Sequence, residues 1–149
     1  MDLNTLSLDF WVCRRTWFSS AKNTSWCLLG CAIGDLGTIY LFQIFAWGWS
    51  PISIMALAMI NGLITSVCLE TAVLMTKKIS FNNALSTALG MSFLSMLSME
   101  LAMNLTDFVL AGGEAQIKLN YIPLILLVGF VTPWPYNYWR LKALDEACH

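Results

Sequence analysis

The sequence predicts an all-α membrane protein, a bundle of four transmembrane helices with an interfacial N-terminal segment. Three observations lead there. Hydrophobic residues make up 58% of the 149-residue chain and charged residues only 11%, less than half the charged share usual in soluble domains. The apolar residues fall into four stretches, each meeting the roughly 20 residues that a bilayer core about 30 Å thick requires. Basic residues gather beside alternate connections, as the positive-inside rule demands of a chain that crosses repeatedly.

The elements follow in order. Residues 1–24 are expected to form a cytoplasmic or interfacial segment. Leu3, Leu6, Phe10 and Trp17 share one helical face beside Arg14 and Arg15, which fits a helix lying in the interface or a partly ordered tail. The four spans are expected over Ser25 to Trp47, Ile52 to Met75, Ala84 to Leu110 and Leu119 to Trp139. Residues 25–140 thus form the transmembrane domain, and 141–149 a short cytoplasmic tail. Pro51 suits a helix start, where its missing N–H costs nothing. Asn82 and Asn83 offer polar caps to the third helix, and Gly112-Gly113 breaks it from the fourth.

Arg14, Arg15, Lys22, Lys77, Lys78, Arg140 and Lys142 share one side, and Lys118 alone lies on the other. Both termini are therefore expected in the cytoplasm of a multi-pass cell-membrane protein. Trp26, Trp47, Trp49, Trp134 and Trp139 sit near the expected helix ends, where amphipathic rings favour the headgroup layer. No cleavable leader is expected. The cysteines, Cys13, Cys27, Cys31, Cys68 and Cys148, fall mostly in apolar stretches or on the cytoplasmic side, so no disulfide framework is expected. A net charge of −1 leaves no electrostatic footprint for nucleic acid.

The chemistry-bearing residues are intramembrane acids. Asp35, Glu70, Glu100 and Asp107 lie within expected spans, and no Lys, Arg or His lies in any span to pair with them. Such groups cost about 2.5–3.5 kcal/mol at the bilayer centre and usually face a bundle interior. With Asn104 they suggest a cation or proton path; the alternative is that each is neutral and hydrogen-bonded to a neighbouring helix. Met96, Met99, Glu100, Met103, Asn104 and Asp107 form one helical stripe. Cys27, Cys31 and Asp35 repeat every four residues and share a face. Cys27, Cys31, Asp35, Met96, Met99, Glu100 and Met103 are accordingly the candidate ligands of a soft cation such as a copper ion, unless the sulfurs merely fill helix interfaces. Gly30, Gly34 and Gly37 mark a helix-packing strip. Pro133, Pro135, Asn137 and Trp139 form a membrane-exit motif whose prolines break or kink the helix and release carbonyls, with Asn137 a candidate partner for them. His149 is the only histidine, so haem ligation by two histidines within one chain is impossible. No Ser-His-Asp set, phosphate loop or dinucleotide fingerprint is present, and an enzyme is not the expected reading.

Two segments, C-L-L-G-C-A-I-G-D from Cys27 to Asp35 and P-Y-N-Y-W from Pro135 to Trp139, resemble an uncharacterised bacterial membrane family, domain of unknown function 4396. The resemblance spans about Trp26 to Arg140 and implies the same helical membrane architecture; it implies no established activity. Members often carry His just before the first Cys, where this chain has Trp26. A metal set of His and two Cys implied by the resemblance would lack one ligand here. Two functions of different classes follow from the sequence: a binding site or transporter for a cation, and a non-catalytic accessory or assembly subunit of a larger membrane complex. The partners expected are the lipid bilayer and either further copies of the chain or other subunits.

Overall fold

The computed structural model describes residues 8–45 and 48–143. Leu3, Leu6, Trp47, Cys148 and His149 lie outside them. A 3-10 turn, Leu8–Trp11, precedes α1 (Arg14–Phe45), α2 (Pro51–Thr76), α3 (Phe81–Thr87), a π-helical turn (Ala88–Ser92), α4 (Phe93–Ala111), α5 (Ile122–Val131) and α6 (Trp134–Ala143). The described chain is all-α. Three helices, α1, α2 and α4, are long and apolar enough to cross a membrane.

Large apolar side chains point outward on these helices, among them Ile33, Ile44, Ile60, Leu101 and Leu105, while Asp35, Glu100, Asn104 and Asp107 are buried. That is the reverse of a water-soluble protein, and it is stable only where the surrounding solvent is itself apolar. The chain is a helical membrane protein.

Local chemistry sets the helix ends. Ser50 caps α2, its side chain accepting from the Ser53 N–H at 3.3 Å, with Pro51 at the first helical position. Gly112, at φ +80°, ends α4 in the left-handed conformation that a side chain resists. α3 begins at Phe81 with Ser80 as its cap residue and no side-chain cap bond, so Asn82 and Asn83 fall inside the first turn and are exposed. The helical path over the expected third span runs from Phe81 to Ala111 with the π turn within it, and of this Phe93–Ala111 is long and apolar enough to cross a membrane.

Two boundaries differ from expectation. α1 starts at Arg14, well before Ser25, because its polar first turns are covered by α6. The fourth apolar segment is not one helix. It breaks at Thr132-Pro133 into α5 and α6, ten residues each; proline has no N–H to donate to the preceding turn.

α1 and α2 form the most extensive pairing. A Cβ on Gly30 would strike the Ser66 backbone, and one on Gly34 would strike the Asn61 backbone. The two helices therefore approach at backbone distance, as small-residue interfaces allow. Thr65 Oγ1 donates to Gly30 O at 2.7 Å, Ser66 Oγ to Cys27 O at 3.1 Å and Asn61 Nδ2 to Thr38 Oγ1 at 2.9 Å. Gly37 is a correction to the sequence reading: the position of a Cβ there is open space. At that level contact has passed to Thr38 and to Ile39, which packs with Ile54 and Ala58.

Candidate functional site

α4 carries the central residues. Its buried face consists of Ser95, Met96, Met99, Glu100, Met103, Asn104 and Asp107, the stripe that the 3.6-residue period places on one side. α1 turns Cys27, Cys31 and Asp35 toward it, all buried. α2 supplies a seat for the acid of α4: a Cβ on Gly62 would collide with the Glu100 carboxylate. Gly62 was not singled out in the sequence, although a glycine inside the apolar α2 run was the available signal.

Asn104 joins the acids. Its Nδ2 donates to Asp35 Oδ1 at 3.0 Å, to Glu100 O at 3.1 Å and to Glu100 Oε2 at 3.4 Å. Glu100 Oε1, Asn104 Oδ1 and Asp107 Oδ2 are buried without a hydrogen-bond partner, as is Ser95 Oγ nearby on the same face. Two carboxylates, those of Asp35 and Glu100, therefore share the donors of a single amide, and Asp107 receives none from it. Carboxylate oxygens only accept when ionised, so this cluster is short of positive charge and of hydrogen.

The cluster continues in both directions. Asp107 interacts with Asp35 and, beyond the end of α4, with Lys118. Glu100 interacts with Cys31, and Cys31 with Cys27 one turn away. The Cys27 thiol donates to Glu70 Oε2 at 3.8 Å, and Ser92 Oγ donates to Glu70 Oε1 at 2.7 Å. Ser92 comes from the π turn, an insertion that shifts helix register and recurs at functional sites. Arg140 of α6 is close enough to act on Glu70 electrostatically. The two outer acids thus have basic neighbours from flanking segments, which the sequence reading did not pair with them. Among the described residues, no basic group acts on the central pair, Asp35 and Glu100.

Cys27, Cys31, Met96, Met99 and Met103 pack with Ile125 in one core cluster. The structure thus gathers the sulfurs proposed as soft ligands, in an apolar setting. Among the described residues, no three His, Cys, Asp or Glu side chains converge on a point that could hold a metal ion. The thiols and carboxylates run in a line rather than around a centre. Cys13, Cys27, Cys31 and Cys68 are free thiols.

The end of the bundle that carries Lys77 and Arg140 opens into a vestibule of about 370 Å³, lined by Asn23, Trp26, Cys27, Glu70, Lys77 and Arg140 among others. Its inner extension reaches Ser92 and Asn137. The proline-rich motif of α6 closes this end against α1. Asn137 Nδ2 donates to Thr24 Oγ1 at 2.8 Å rather than to a released carbonyl, and Ser20 Oγ donates to the Trp134 carbonyl at 3.1 Å. The Tyr138 hydroxyl donates to Phe10 O at 2.7 Å, and its ring stacks on Trp17 at 4.2 Å. Trp139, expected in the exit motif, is partly exposed and lies against Tyr136.

No curated protein and no solved structure matches the chain. The family described as "Domain of unknown function (DUF4396)" matches residues 16–145, which include every residue of the line from Cys27 to Asp107 together with Lys118 and Arg140. The chain belongs to the DUF4396 family.

Proposed function

We propose that this is a multi-pass protein of the cell membrane whose core relays a small cation, the proton, between the vestibule and the opposite end of the bundle. Glu70 and Cys27 form the entry, Cys31 and Glu100 the next station, Asn104 and Asp35 the centre, and Asp107 the exit beside Lys118. The observation that carries this reading is the buried, donor-poor cluster of Asp35, Glu100 and Asp107 around Asn104. A bound cation supplies what the cluster lacks, and chains of intramembrane carboxylates are the usual material of proton relays. In this reading α5 and α6 together make the fourth crossing: their length with the break is roughly 33 Å at 1.5 Å per residue. Lys77 and Arg140 then lie on the cytoplasmic side, and both termini with them.

Reconstitution into sealed vesicles tests the relay. With a potassium diffusion potential imposed, a pH dye inside should report proton entry into vesicles holding the wild-type chain. Glu100→Gln and Asp35→Asn, which keep the shape and remove the exchangeable charge, should bring entry down to the rate of protein-free vesicles. Wild-type vesicles as tight as protein-free ones, or variants as fast as wild type, would contradict the relay.

A soft metal ion is the second cation to try, because Met96, Met99 and Met103 join the two thiols in one cluster. Native mass spectrometry with Cu(I) present reads this separately. One ion per chain, lost in a Met99→Leu, Cys31→Ser double variant, would support it; no bound ion would remove it.

A further inference from the structure

Arg140 presents a guanidinium with five N–H donors and no acceptor, so it needs acceptors around it. Yet its Nε and Nη1 are buried and have no hydrogen-bond partner. Glu70, on which Arg140 acts electrostatically, accepts from Ser92 and Cys27 and makes no hydrogen bond to these two nitrogens. Buried donor atoms left in this condition are costly, although the residue as a whole is only half-buried. Arg140 lines the vestibule together with Lys77 and Asn23, so two cations and an amide outnumber the single carboxylate there.

The rest of the wall is mostly apolar, Trp26, Val73, Leu74, Ile79 and Leu141, with Cys27 and Thr87 beside them. Its volume, about 370 Å³, is far larger than a simple halide needs and falls in the range of small-molecule sites. Trp26 is 42% exposed at its rim, the position an indole takes at headgroup depth. Guanidinium matches the geometry of phosphate oxygens, and basic pockets between membrane helices are suited to anionic headgroups.

We propose that the vestibule is a phosphate-binding site in which Arg140 is the principal ligand, Lys77 the second charge and Asn23 an amide donor, with Trp26, Val73 and Leu74 holding the apolar part of the phosphate's carrier. The phosphate is carried by a lipid headgroup or is free in the adjoining aqueous phase. This site shares the vestibule with the entry of the proposed relay but does not require the relay to operate.

Native mass spectrometry of the full chain, purified free of lipid and then titrated, tests the proposal with three probes: phosphatidylglycerol, diacylglycerol with the same acyl chains, and inorganic phosphate. Wild type is expected to hold one phosphatidylglycerol per chain while retaining no diacylglycerol. Arg140→Gln should weaken this by about tenfold or more, the loss of at least one charge-assisted contact. Arg140→Lys should recover part of it. Lys77→Gln, at an exposed position, reads the same site if Arg140→Gln does not fold, and should weaken binding severalfold. Phosphatidylglycerol that survives excess inorganic phosphate identifies the lipid source. Displacement by inorganic phosphate identifies the free anion; either supports the site. Equal retention of diacylglycerol, or phosphatidylglycerol bound equally by wild type and both charge-removing variants, would overturn it.

Discussion

The interface between α1 and α2 and the interface between α1 and α4 are built from similar residue types and come out differently. Along the first, hydroxyl and amide groups of α2 bond to backbone or side chain of α1, and Gly30 and Gly34 bring the helices to backbone contact. Along the second, the polar side chains are longer and more strongly acidic, and several of their buried oxygens have no partner. A polar group that holds helices together is satisfied, since an unmet one costs about 1–3 kcal/mol. The first interface is structural. The second leaves acceptors unmet in the middle of the bundle, which is where the proposed proton would supply the missing positive charge.

The comparison can be broken at several points. The largest effect is expected at the seam: Gly34→Val places atoms into the Asn61 backbone, which cannot yield. Loss of about 3 kcal/mol or more follows, read as failure to elute as a single species from size-exclusion chromatography in detergent. Gly62→Ala comes next. It intrudes on a carboxylate at the tip of a side chain, which can shift, so the expected cost is about 1–3 kcal/mol in thermal unfolding, with proton entry reduced because Glu100 loses its seat. Thr24→Val removes the acceptor of Asn137 at the closed end of α1 and α6. It should cost about 1–2 kcal/mol for a buried donor left unmet and leave proton entry unchanged. Gly37→Ala is expected to change stability by about 0.5–1 kcal/mol at most, in the stabilising direction, since Ala favours helix and nothing obstructs its Cβ.

Much of the architecture was legible because it follows from local chemistry. Apolar length marked α1, α2 and α4, and the spacing of Met96, Met99, Glu100, Met103, Asn104 and Asp107 placed them on one face before any partner was known. The prolines at 133 and 135 signalled an interruption in the last apolar stretch. What periodicity could not supply was the relation between helices. Gly37 has the same spacing as the packing glycines, yet Thr38 and Ile39 make the contact at its level. The role of Gly62 appears only once Glu100 is seen against it. Arg140 follows the expected last span in sequence, and its nearness to Glu70 appears only in the folded chain. The start of α1 at Arg14 was likewise hidden, because its polar first turns gain their cover from Tyr138, Trp134 and Asn137, more than a hundred residues away.

The central claim is that the acids around Asn104 take up and release a proton. Infrared difference spectroscopy of the reconstituted chain, stepped between two pH values, reads this directly through the carboxyl stretching bands. A reversible carboxyl signal that loses one component in Glu100→Gln and another in Asp35→Asn is the expected result. A spectrum with no carboxyl change across the accessible pH range, or one unaltered by both substitutions, would contradict the account.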